Sequence, residues 1–395
     1  MTRPDLCRGG VDPRPSKEGG GKPLPYVLLV LLLLFTTRLV SAGETVRLAL
    51  FQNVESLTVA SASGLIVRAP NDTIDSSGRI TVAAGPSGLI VDGQPLRSDR
   101  LDVRGRDGEL TINGLTVGGR VIVKRQNGKL LAINELPLED YVKGVVPSEM
   151  NPAWHLEALK VQAIATRTYA LYKMRQNARK DFDVVASVKD QVYLYRGRAA
   201  AAGPAARATA ETRDQVLAYR DEPILAAFSS TAAGLTEDAW NVWSVDLPYL
   251  KGVECPFDLN SPWYQWRTDV GLPMLEQRLR DEGFPVGVIA SLAPATYTKA
   301  GRVAQVRILH SGGELYVKGD DLRRVLGYTV LPSTQFDFDV VGLQVQFAGR
   351  GNGHGVGLCQ WGAKELAERG YSAETILRYY YPGADIRDLD SLPRR

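Results

Sequence analysis

An α+β fold is predicted by two contrasts within the 395-residue sequence and by one long helix. Residues 43–131 are written in short apolar or alternating runs, among them Val46–Leu50, Leu65–Val67, Leu89–Val91 and Val121–Val123. The pairs Asp92-Gly93, Asp107-Gly108, Asn113-Gly114 and Asn127-Gly128 punctuate them, which is the hairpin signature of a β-rich module. From 132 to 395 helix formers and strand-like runs mix without strict βαβ alternation, so a second, mixed α+β domain follows. Its centre is a helix from about Pro152 to Met174, rich in Ala, Leu, Lys, Gln and Arg. The Ala158–Ala170 stretch carries few charges around its circumference, which predicts a central, buried helix. Arg167 inside it then needs a partner, a carboxylate or a ligand.

The other elements follow in order. Pro137 with Glu139 and Asp140 reads as a helix entry, Pro fitting the first turn and acids the positive end of the dipole. Gln191–Tyr195 is strand-like, Ala205–Arg213 helical, and Val216–Tyr219 with Pro223–Ala226 a hairpin. Val270–Val330 mixes helix and strand and offers no cluster to assign. A strand over Val341–Phe347, a glycine-rich loop, and helices over Ala363–Arg369 and Ala373–Tyr381 close the chain.

The 47 Lys+Arg against 44 Asp+Glu give a net charge of +3. Residues 1–42 hold six basic and three acidic side chains, so the remainder is balanced at 41 of each. A neutral body lacks the basic stripe that a nucleic-acid binder needs. Residues 1–42 themselves read as a signal peptide: a basic start, the apolar run Tyr26–Phe35 and the small-residue pattern Val40-Ser41-Ala42. The run is short for a bilayer, so the expected product is exported, with membrane attachment only through an uncleaved leader. After cleavage Cys255 and Cys359 remain, each a small buried hydrophobe or half of a disulfide. With His155, His310 and His354 they show no zinc-ligand spacing, so neither metal nor cofactor is expected.

Two segments concentrate chemistry. Glu149 lies two residues after Pro147 and just ahead of the long helix. It is either a helix cap or a general acid/base held on a rigid frame. Capping would lower its pKa, whereas protonating a leaving group wants it raised. In the second segment, Gly349–Ala363, five glycines between 349 and 357 surround His354. A nucleotide reading fails, because the sixth positions of each Gly-x-Gly-x-x-Gly register fall on His354, Val356, Leu358 and Gln360. The loop is a run of tight turns or a place where main-chain N–H groups meet a ligand. There is no Gly-x-Ser-x-Gly elbow and no papain-like cysteine signature.

Leu136–Tyr141, Pro147–Met150 and Ala165–Ala170, then Gln191–Tyr193, Thr236-Glu237, Pro248–Leu250, Gly349–Ala363 and Tyr379–Gly383 stand in one order. In that order they resemble the stage II sporulation protein D family of cell-wall proteins over roughly residues 115–385. The resemblance implies a lytic transglycosylase that cuts peptide-free peptidoglycan glycan strands. It places the family's acid/base on Glu149 and makes Arg167, Gln191, Tyr193, His354, Gln360 and Trp361 substrate-binding candidates. It also allows a non-catalytic wall-binding protein that activates a cell-wall amidase. Some members of the family bind zinc. Ser229, Ala232 and Leu235 stand where many members carry His, Cys and His, and Asp258 stands where a partner for Cys255 would sit.

Overall fold

A computed structural model describes residues 44–70, 72–76, 78–195, 197 and 203–393. The expected leader, 1–42, lies outside them. None of the described helices is long and apolar enough to cross a membrane.

The N-terminal strands form one eleven-stranded sheet. Its path runs Val184–Val185, Thr45–Val54, Lys129–Pro137, Leu115–Gln126, Arg100–Ile112, Ser56–Ala60, Arg79–Gly85, Gly88–Val91 and Gln94–Leu96. The hairpin Leu65–Ala69/Asp72–Ser76 joins it beside Arg100–Ile112. Alternation sends Leu57, Val59, Leu101, Val103, Val121 and Val123 into a shared core. Asp92, Asn113 and Asn127 each adopt positive φ ahead of a positive-φ glycine, the geometry of two-residue hairpin turns. Asp107-Gly108 behaves differently: it sits in a bulge within Arg100–Ile112, where the pairing slips between Arg104 and Glu109. The residue-131 boundary falls inside the strand Lys129–Pro137, which runs directly into the first helix.

The α-helices are α1 (Leu138–Glu149), α2 (Leu156–Gln176), α3 (Pro204–Glu211), α4 (Ala239–Trp243), α5 (Leu272–Asp281), α6 (Gly319–Leu326), α7 (Gln360–Glu368) and α8 (Ala373–Tyr380). As expected, α2 is central. It is buried from Ala158 to Leu171 apart from Lys160, with α1, α3, α7, α8 and the strand Gln215–Tyr219 against it. Ala158, Ala163, Ala165 and Ala170 keep its surface low enough for neighbours on several sides. It starts at Leu156 rather than Pro152, because the His155 imidazole caps it by accepting the Glu157 N–H at 3.3 Å. Gln191–Tyr195 is not a strand; only Gln191 pairs, in an isolated bridge to Ala186.

The unassigned 270–330 stretch belongs to an inserted module with its own hydrophobic core. Strands Trp266–Gly271, Gln344–Arg350 and Gln335–Val341 form one sheet and Ile289–Tyr297, Val303–His310 and Gly313–Lys318 another, with α5 and α6 beside them. The expected strand over Val341–Phe347 is thus the hairpin turn at Gly342 plus half of Gln344–Arg350. The module's neck is built from short pairings: Gly234–Leu235 with Glu254–Cys255, and Phe228–Ser229 with Leu358–Cys359.

Candidate functional site

Glu149 is the last residue of α1, so it meets the negative end of a helix dipole and caps nothing. The residue is half-buried. Its Oε1 accepts the Val192 N–H at 2.6 Å. Burial pushes its pKa above the usual carboxylate range, opposed by the bonds to Val192 and Gln360. The conflict between capping and acid catalysis therefore dissolves, since the helix that would have lowered the pKa begins seven residues later.

Gln191 and Tyr193 flank the residue that holds Glu149. Gln191 is buried and accepts the Tyr141 hydroxyl at 2.8 Å, while its Nε2 has no partner. Tyr193 stacks on Tyr141 with ring centroids 5.7 Å apart and planes 8° from parallel. Its ring lies over Gly144, where a Cβ would come within 2.4 Å of it, so α1 needs glycine at that point. From the other side, the Gln360 amide donates to the Glu149 carbonyl at 3.3 Å and to Gln162 Oε1 at 3.2 Å. Trp361 follows it and meets Trp154 edge-on, centroids 5.0 Å apart, with Lys364 Nζ over the Trp361 ring. Both indoles are partly exposed. Hydrogen bonds thus bring the Gln191–Tyr193 segment and Gln360 to Glu149, and Trp361, the residue after Gln360, pairs with Trp154.

Arg167 and His354 do other work. Arg167 is fully buried, and its guanidinium clasps Glu139 through Nε–Oε1 at 2.6 Å and Nη2–Oε2 at 2.8 Å. It also donates to the carbonyls of Gln215 and Thr209. Of the two partners the sequence left open, the carboxylate is the one present. The substrate contact implied for Arg167 gives way to a structural role, tying α1 to α2. His354 Nδ1 accepts the Val356 N–H at 3.0 Å, and the ring also bonds the Phe228 backbone. Burial, with Arg323 and Arg302 nearby, holds its pKa well below the usual imidazole range. It packs against Trp243 at 5.0 Å and staples the glycine loop as a neutral side chain.

The glycine loop lies over the Phe228–Glu237 stretch and the inserted module. The Gly355 N–H donates to Ser229 Oγ at 3.2 Å, and a Cβ on Gly353 would stand 2.5 Å from the Ser229 Cβ. Arg302, buried, reaches in from the module to donate to the Ala232 carbonyl at 2.9 Å. Thr298 Oγ1 donates to Glu237 Oε2 at 2.5 Å, and the Glu237 N–H bonds the Gly355 carbonyl. Sequence reasoning missed Arg302 and Thr298 in these roles; both lie in the stretch it left unassigned.

The stage II sporulation protein (SpoIID) family profile matches residues 126–219, and a domain of unknown function, DUF8618, matches 254–357, the region of the inserted module. The stage II sporulation protein D of Bacillus amyloliquefaciens is 34% identical over 273 residues, covering 66% of this chain and 77% of that protein. The chain belongs to the SpoIID family. An uncharacterised protein of Brachyspira hyodysenteriae is 35% identical over 281 residues, 71% of this chain and 74% of its own length. The amidase enhancer of Bacillus subtilis is 30% identical over 290 residues, 62% of this chain but 40% of the longer relative.

Proposed function

We propose that this SpoIID-family protein is an exported lytic transglycosylase of peptide-free peptidoglycan strands, with Glu149 as its general acid/base. Family membership and the likeness to an amidase enhancer support the broader role, cell-wall remodelling. The observation that carries the finer reading is Glu149 itself. It is a half-buried residue whose carboxyl has a raised pKa and is oriented by one main-chain N–H.

The protonated carboxyl donates to the glycosidic oxygen as the C1–O bond breaks. The resulting carboxylate then takes the proton of the same sugar's 6-hydroxyl as O6 bonds to C1. No water is consumed, the ring closes as a 1,6-anhydro end, and Glu149 returns to its starting state. A single carboxylate suffices, unlike the paired acids of ordinary glycosidases. The partly exposed Trp154 and Trp361 offer apolar surface for sugar rings, while the buried Gln191 and Gln360 amides hold the frame on which Glu149 sits.

A second reading, glycan binding that activates an amidase, is favoured by the amidase-enhancer relative. Purified protein incubated with peptide-free strands separates the two by mass spectrometry of the products. Anhydro ends, one water lighter than reducing ends and absent with Glu149→Gln, support the transglycosylase. Glycan binding without cleavage leaves the amidase activator.

A further inference from the structure

Residues from the two ends of the inserted module meet at its neck. Cys255 and Asp258 lie where the chain leaves for the module, and Cys359 lies where it returns, at the N-cap of α7. The ligand atoms of all three lie within 4.8 Å of one another, and all three residues are completely buried. Cys359 Sγ is 3.3 Å from Asp258 Oδ2. We propose that Cys255, Asp258 and Cys359 bind a structural zinc ion that closes the neck. Ser229, Ala232 and Leu235, where many family members carry His, Cys and His, contribute no ligand here, and Asp258 takes the place of a partner for Cys255.

The polar groups around the cluster are arranged for a cation. Asp258 Oδ1 is buried without a hydrogen-bond partner, an expensive state for a carboxylate. The Ala232 and Gly362 N–H groups point at Cys359 Sγ, at 3.3 and 3.4 Å, and the Ala233 N–H at Asp258 Oδ2, at 2.8 Å. Main-chain donors aimed at sulfur, together with the start of a helix, oppose the burial that pushes the Cys359 thiol well above its ordinary range, and a bound cation would supply the rest of the stabilisation a thiolate needs here. Two thiolates and a carboxylate suit zinc by softness and supply three of the four donors of a structural site. Tetrahedral bonds of about 2.3 Å to sulfur and 2.0 Å to oxygen put ligand atoms roughly 3.5–3.8 Å apart, close to the spacing already present. A fourth donor is at hand in the Tyr380 hydroxyl, 3.2 Å from Cys255 Sγ. Gly362 leaves that corner open, since a Cβ there would come within 2.7 Å of Cys255 Sγ and 2.1 Å of the Tyr380 oxygen.

The charges balance as well. Zinc displaces the two thiol protons, so Zn²⁺ with two thiolates and one carboxylate carries a single negative charge. Arg302 is buried nearby with Nε and Nη1 unpartnered, and Asp258 and Cys359 are among the groups that favour its charge. Its guanidinium neutralises the site. Because every ligand is enclosed, the ion is taken up as the chain folds.

The test needs no glycan. The protein is purified under reducing conditions without chelator, its metal content is measured, and an apo sample is refolded with cobalt. Zinc close to one ion per chain, a thiolate-to-cobalt charge-transfer band, and a roughly tenfold loss of zinc in Asp258→Asn and Cys359→Ser are expected. Circular dichroism checks that both variants fold; if neither does, metal content and the cobalt spectrum of the wild type decide. Folded wild-type protein that takes up neither ion, with both thiols titratable after unfolding, overturns the proposal. So does a mass lower by two hydrogens, which assigns the cysteines to a disulfide.

Discussion

Removing the charge of Glu139 should cost the protein about 3 kcal/mol and leave its fold intact. The side chain of Arg167 is 0% exposed and that of Glu139 14%, so Glu139→Gln strands a buried guanidinium opposite a neutral amide. Breaking a buried pair costs roughly 3–5 kcal/mol, and the residual exposure of Glu139 argues for the lower end. Arg167 keeps the Gln215 and Thr209 carbonyls, which limits the damage further. Unfolding entropy of about 2.1 cal/mol/K per residue over roughly 350 residues turns 3 kcal/mol into a fall in Tm of about 4 °C. The assay is a thermal melt of wild type, Glu139→Gln, and the double variant Glu139→Leu/Arg167→Met. The double variant should recover most of the loss, because two apolar side chains replace two charges that no longer need each other. A single variant that melts within about 1 °C of wild type, or a double variant as weak as the single, would refute the assignment of Arg167 to this clasp.

Glu149→Gln should leave stability unchanged in acid and raise it above neutrality. The folded pKa of Glu149 lies above its unfolded value, so keeping the native carboxylate costs stability that sets in as pH rises past the unfolded pKa of about 4.3; melts at pH 4 and pH 8 check the sign. Gly144→Ala ought to help a helix by about 1 kcal/mol. Here the new Cβ, 2.4 Å from the Tyr193 ring, should reverse that to a net loss of about 1–3 kcal/mol, with a weakened near-ultraviolet tyrosine signal. Gly355→Ala combines a φ of +78° with a Cβ 2.3 Å from the Arg302 guanidinium, so a melting loss larger than that of Gly370→Ala, at an open position, is expected. Trp361→Ala should weaken glycan retention in a sedimentation assay by several-fold while costing little Tm, since the ring is only partly buried.

What could be read in advance was local. Asn113-Gly114 and Asn127-Gly128 form turns because their φ preferences are properties of the residues themselves. The charge-poor Ala158–Ala170 stretch is central because it has no face to give to water. Asp107-Gly108 carries the same turn signal, yet pairing with Leu115–Gln126 continues on both sides and turns it into a bulge. In the unassigned 270–330 stretch, Ile289–Tyr297, Val303–His310 and Gly313–Lys318 pair as neighbours in sequence, but the sheet beside them is completed only when Trp266–Gly271 meets the distant Gln344–Arg350. At the site, motif order pointed to Glu149, but its neighbours depended on tertiary contacts. The Glu139–Arg167 clasp spans 28 residues and the Gln360–Glu149 bond 211, distances over which sequence periodicity carries no information. Cys255, Cys359 and Asp258 are each legible in the sequence, but their convergence depends on tertiary contacts for the same reason.

The neck of the inserted module has a bearing on how this chain came to be. The Thr236 N–H bonds the Val253 carbonyl on the way out, and the Glu237 N–H bonds the Gly355 carbonyl on the way back. About a hundred residues therefore depart and re-enter beside two consecutive residues of the host, as a cassette does. Such a segment can be acquired or exchanged without re-threading the surrounding core. The constraint falls on its borders, where Thr298 and Arg302 of the guest meet Glu237 and Ala232 of the host. A foreign cassette spliced in at these points would need an equivalent of that arginine and that hydroxyl before the glycine loop could settle.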